Sequence, residues 1–122
     1  MAPKLDINII STVFEQIAGA ENAGSGGVFC RAACESIERL ARPDCITAEN
    51  MYSLCYAAGC LAAYRLRLKL SYDAAPSFTA GDVKVGEGAA ATEAAKALYE
   101  EAFAAVSHLM RKNGGILLSV RG

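Results

Sequence analysis

Five cysteines are the residues best placed to do chemistry in this sequence, and their spacing limits what that chemistry is. Cys30 and Cys34 are four residues apart, so on a helix both thiols share one face. Cys55 and Cys60 are five apart and diverge by about 140° at 3.6 residues per turn. Structural zinc sites draw a close pair of cysteines from a tight turn, where the chain curls around the ion. Neither pair here falls on a predicted turn. Cys30, Cys34 and Cys55 stand on apolar helical stripes instead, the place of small buried hydrophobes. An odd number of cysteines, with no charged segment leading into an apolar one at the N-terminus, predicts free thiols in a reducing cytoplasm and no signal peptide. The expectation is that no cysteine is catalytic or binds metal, and that there is no cofactor.

The other candidates are weaker. His108, the single histidine, sits one residue before core-facing Leu109, and nothing in the sequence brings a thiol to it for a Cys–His nucleophile. Glu100 and Glu101 are adjacent, so on a helix they point about 100° apart and cannot share a substrate. The glycines of Gly24-x-Gly26-Gly27 and of 81–88 lack the strand before and the Gly-Lys-Ser/Thr after that make a phosphate loop. Arg65-Leu66-Arg67-Leu68-Lys69 could face DNA phosphates or form a solvated helix end, where cations suit the dipole. Charge nearly cancels, with 12 Lys and Arg against 13 Asp and Glu. Residues 1–61 hold four cations against seven carboxylates, and 62–122 eight against six. Such a balance excludes a general nucleic-acid binder, which carries a basic excess. The sum predicts a protein that is not an enzyme.

Helices must position all of these residues. Alanine, the best helix former, supplies 24 of 122 positions, and the length fits one domain spanning 1–122. Ile10, Val13, Phe14 and Ile17 repeat on one face after Asp6, a natural N-cap, and the helix should stop near Gly19. Residues 21–27 read as a flexible loop. A second helix from about Val28 places Cys30, Ala33, Cys34, Ile37, Leu40 and Ala41 on one side, and Pro43 ends it. A third runs from Thr47 to about Leu70 and is apolar on most sides, so it lies at the centre of the fold or against a partner. Its uncharged stretch of 15 residues, 50–64, is shorter than the roughly 20 that span a bilayer, so no membrane segment is expected. The last helix runs from about Ala89 to Lys112. The expected core is Ile10, Phe14, Ile17, Cys34, Ile37, Leu40, Leu54, Cys55, Ala58, Leu61, Leu98, Ala102 and Leu109.

Residues 71–88 break the helical pattern. Within them Asp82, Val83, Lys84 and Val85 alternate as a half-buried strand does. Ile116, Leu117 and Leu118 begin the other strand-like piece, which runs to Val120. A strand needs a partner for its backbone groups, so the two pieces are expected to pair within one subunit or between subunits. The predicted fold is mainly α: a single-domain bundle of about four helices, with a short β element from the 82–85 loop and the C-terminal tail.

One arrangement has a familiar layout. A tyrosine- and alanine-rich helix ending in basic residues, Tyr52 to Leu70, leads into Ser77-Phe78-Thr79-Ala80-Gly81-Asp82-Val83-Lys84-Val85. An acidic, alanine-rich helix with Leu98-Tyr99-Glu100-Glu101-Ala102 follows, then a short apolar tail. This resembles the small head–tail connector, or head-completion, proteins of tailed phages and prophages over residues 47–120. The resemblance implies a helical subunit that oligomerises, as a ring, between portal and tail proteins. It implies a place in the cytoplasm of a bacterial host or in a virion. Phe78, Asp82–Val85 and Ile116–Leu118 would then be interface residues, and Arg65, Arg67 and Lys69 would face a DNA passage without reading its sequence. Two other readings stay open: a monomeric or dimeric adaptor in tail assembly or regulation, and a small cysteine-dependent metal or redox protein.

Overall fold

The structure, a computed structural model, describes residues 4–19, 23–74 and 82–111. They form four helices: α1 (Ile7–Ala18), α2 (Ala23–Leu40), α3 (Ala48–Ala74) and α4 (Asp82–Val106). Single 3-10 turns follow α2 and α4, at Pro43–Cys45 and Ser107–Leu109. The mainly helical bundle expected from the sequence is what forms.

Local signals set the ends of α1. The Asp6 carboxylate accepts the Asn8 N–H at 2.9 Å, satisfying a donor the helix itself leaves free. Gly19 closes it at φ 96°, a conformation that disfavours any side chain, and donates its N–H to the Glu15 carbonyl at 2.8 Å. Ile10, Val13 and Phe14 are buried as their spacing predicts, whereas Ile17 is only half-buried.

The helices alternate in direction. Phe14 packs on Gly26, and the Leu5 N–H donates to Glu38 Oε2 at 2.7 Å, so α1 and α2 are antiparallel. Asp6 meets Cys55 and Ile10 meets Gly59, so α1 and α3 run the same way. The Tyr64 and Tyr99 rings stack with centroids 6.2 Å apart, while Tyr56 lies near Glu101, so α4 runs back along α3.

α3 is the axis of the bundle. Leu54, Cys55, Ala57, Ala58, Cys60, Leu61, Ala62 and Ala63 are all buried, with Gly59 among them. A helix buried on every side needs small residues on some sides, because α1, α2 and α4 must all approach it. The ends of α2 and α4 are tied by an isolated antiparallel bridge between Ala41 and Met110. Arg42 N–H donates to Leu109 O at 2.9 Å and Arg111 N–H to Leu40 O at 2.8 Å.

Several expectations fail here. The strand over Asp82, Val83, Lys84 and Val85 is overturned, because these residues are the first turn of α4. Helix propagation along an alanine-rich segment outweighs a four-residue alternation that has no sheet to join. Its pairing with the tail falls with it, and Phe78, Ile116, Leu117 and Leu118 lie outside the described residues. Among those residues the only β-type pairing is the Ala41–Met110 bridge. The flexible loop expected over 21–27 is also overturned in part, since α2 begins at Ala23. There Gly26 serves packing, since a side chain at that position would overlap the Phe14 ring. Helix α3 continues to Ala74, past the expected Leu70, and α4 stops at Val106, short of Lys112.

Gly59 and Gly27 give opposite predictions for the same change. A Cβ on Gly59 would lie 2.6 Å from Val13 Cγ1 and 3.1 Å from the Ile10 carbonyl oxygen. Gly59→Ala is therefore expected to destabilise the fold by about 1–3 kcal/mol. At Gly27 nothing lies within 4 Å, so Gly27→Ala is expected to gain roughly 0.5–1 kcal/mol from helix propensity. Denaturant melts of the two variants measure both, and equal effects would contradict the close crossing of α1 and α3.

Candidate functional site

Cys30, Cys34 and Cys55 lie on the expected helical stripes, Cys60 is buried in α3, Cys45 sits in the 3-10 turn after α2, and all five are free. Cys30, Cys55 and Cys60 are buried, and Cys34 and Cys45 are half-buried. Cys34 Sγ donates to Glu38 Oε2 at 3.3 Å. Burial first, then the hydrogen bond and negative charge of Glu38, push its pKa up to about 12. Burial also pushes Cys60 up to about 11, against a lowering hydrogen bond from Tyr56. Cys30 and Cys55 are raised as well, burial again being the largest cause. A reactive thiol needs the opposite environment, open and electropositive. Among the described residues no three His, Cys, Asp or Glu side chains gather where they could hold a metal ion.

The basic run does not form one stripe. On a helix, residues two apart point about 200° from each other, so Arg65 and Arg67 leave α3 on opposite sides. Arg65 turns toward α2, and its Nη2 donates to Ser36 Oγ at 3.2 Å. Arg67 is half-buried and Lys69 is exposed. Arg65 instead meets Arg39 across a groove of about 430 Å³, which Ser36, Leu61, Tyr64 and Tyr99 also line. The groove brings two cations from different helices together with aromatic and aliphatic side chains. Sequence reasoning missed it, because Arg39 and Arg65 are 26 positions apart and nothing in either segment marks the pairing.

A second groove, of about 290 Å³, lies between the start of α3 and the end of α4, where Tyr52 and Tyr56 face Glu101, Ala102 and Ala105. The two tyrosine rings stack at 6.1 Å. His108 is exposed in the 3-10 turn after α4, where its carbonyl accepts from Arg42 Nη2 at 3.0 Å. Among the described residues no hydrogen bond joins a thiol to its ring. Of the expected interface residues, Asp82–Val85 begin α4, as described above. Among the described residues no helix is long and apolar enough to cross a membrane.

The raised thiols predict a pH dependence. Each is protonated in both states below pH 9. Above it the unfolded chain releases protons that the folded chain still holds, so stability falls as pH rises from about 9 toward 12. Chemical denaturation at stepped alkaline pH should show this loss, and it should be smaller in Cys34→Ala. A loss of the same size in the variant would contradict the placement of Cys34 beside Glu38. No protein-family model matches the chain, and no curated protein or solved structure is significantly similar to it.

Proposed function

We propose that this chain is a non-enzymatic assembly subunit of the phage or prophage head–tail connector type, which oligomerises and bridges portal and tail proteins. One observation carries the reading. The helix at the centre of the bundle also reaches the surface with large apolar side chains that the described residues leave uncovered. Tyr52 is 61% exposed at its start, and Leu68 and Leu70 are 43% and 40% exposed near its end. Exposed apolar residues of this kind suit a subunit completed by neighbours in an assembly. The layout of residues 47–120, which resembles connector proteins, names the kind of assembly. The raised thiols support a structural role over a cysteine-dependent one. In a connector ring the exposed Lys69, near the far end of α3, would border the DNA passage and supply a sequence-independent positive charge.

The test is mass in solution. The subunit is 12.8 kDa, so light scattering separates a monomer from any ring. The protein alone, or mixed with the portal protein encoded in the same genome, is expected to form a multimer. A monomer at every concentration, with no complex with the portal or tail protein, would reject the reading. A monomer or dimer that binds a tail protein would favour the adaptor.

A further inference from the structure

We propose that the groove between Arg39 and Arg65 receives the outer face of α4 from a second copy of this chain, in a head-to-tail contact. The inference rests on the assembly reading and names the two surfaces that meet. The groove offers two guanidinium groups over Leu61, Tyr64 and Tyr99. Arg39 is exposed, Arg65 is held in place by Ser36, and Leu68 lines the same groove at 43% exposure.

The outer face of α4 has the complementary chemistry. Its inner face is Ala95, Leu98, Ala102 and Val106. On the opposite side Glu93, Ala97, Glu100 and Ala104 follow the i, i+4, i+7, i+11 spacing of a helical stripe, and all four are exposed. Glu93 and Glu100 stand about 10.5 Å apart along the axis. Lys96 and Glu101 flank the stripe, so three carboxylates face one ammonium. The alanines keep the helix backbone close to its own surface. A helix with this face can settle into a groove, where longer side chains would hold it out.

These are unlike surfaces on different sides of the molecule. Tyr99 turns the near side of α4 into the groove wall, while Glu93 and Glu100 face away. A subunit therefore cannot fill its own groove with this stripe. A contact between unlike surfaces is heterologous and repeats from copy to copy, closing a ring where its rotation closes and running on as a filament where it does not. Opposite charges fix the register and disfavour groove-to-groove or stripe-to-stripe pairing.

Charge reversal with exchange tests this. Sedimentation measures self-association of the wild type, of Arg39→Glu, and of Glu93→Lys/Glu100→Lys, with circular dichroism as the check on folding. All three sites are exposed. Each variant alone should associate about tenfold more weakly or worse, and an equal mixture of the two should recover association. Ala97→Arg, which adds bulk and positive charge to the stripe, should weaken it independently. Wild-type association that the variants leave unchanged, or loss without recovery on mixing, overturns this pairing and leaves the assembly reading standing. A wild type that never self-associates overturns the pairing too, and the assembly reading is then decided by binding to the portal protein.

Discussion

At Gly59 the backbone of α3 lies against Val13 and the carbonyl oxygen of Ile10, and this closeness sets where the other helices sit. With α1 drawn in so far, α2 can lie across both, its Gly26 under the Phe14 ring. Helix α4 then covers the side of α3 that remains, through Ala95, Ala102 and Val106. Alanine and glycine do here what large side chains do in other cores. They reduce the distance between helices, so dispersion contacts run along the backbones themselves.

The cysteines belong to the same design. A thiol is slightly larger than an alanine methyl and donates a weak hydrogen bond, so it fills a narrow space and still finds a partner. Cys34 donates to Glu38 within α2, and the same carboxylate oxygen holds the Leu5 N–H, so the thiol supports the group that joins the chain before α1 to α2. Cys55 donates to the Asp6 carbonyl at 3.6 Å and joins that same segment to α3. Cys55 and Glu38 thus tie the chain before α1 to α3 and α2, with Cys34 bonded to the same Glu38. Burial raises the pKa of both thiols, and at Cys34 the hydrogen bond and charge of Glu38 raise it further.

Much of the fold was legible in the sequence where a pattern ran for several turns. The Ile10–Phe14 stripe, the Asp6 cap, the Gly19 stop and the all-round apolar α3 each had a local cause that tertiary structure did not oppose. Of the thirteen expected core residues, Ile17, Cys34, Leu40 and Leu98 are only half-buried, because they lie at the edges of their stripes. The reading failed where a short local signal competed with its surroundings. Four alternating residues at 82–85 could not hold a strand without a neighbour, and the glycines at 24–27 could not break a helix that Phe14 packs against. The groove was not legible at all. It depends on α2 and α3 meeting at Ser36 and Arg65, a contact between distant segments that carry no shared pattern.

The bundle shows a cationic groove on one side and an acidic alanine stripe on another. The proposed assembly joins these two surfaces and not the rest of the exterior. Backbone amide NMR shifts followed as protein concentration rises test this residue by residue. The account predicts that two separate groups move together, Arg39, Tyr64, Arg65 and Leu68 in one and Glu93, Ala97, Glu100 and Ala104 in the other, while Val28 and Ile7, exposed on α2 and α1, stay fixed. Shifts that do not change with concentration, or that gather around Val28 and Ile7, would contradict it.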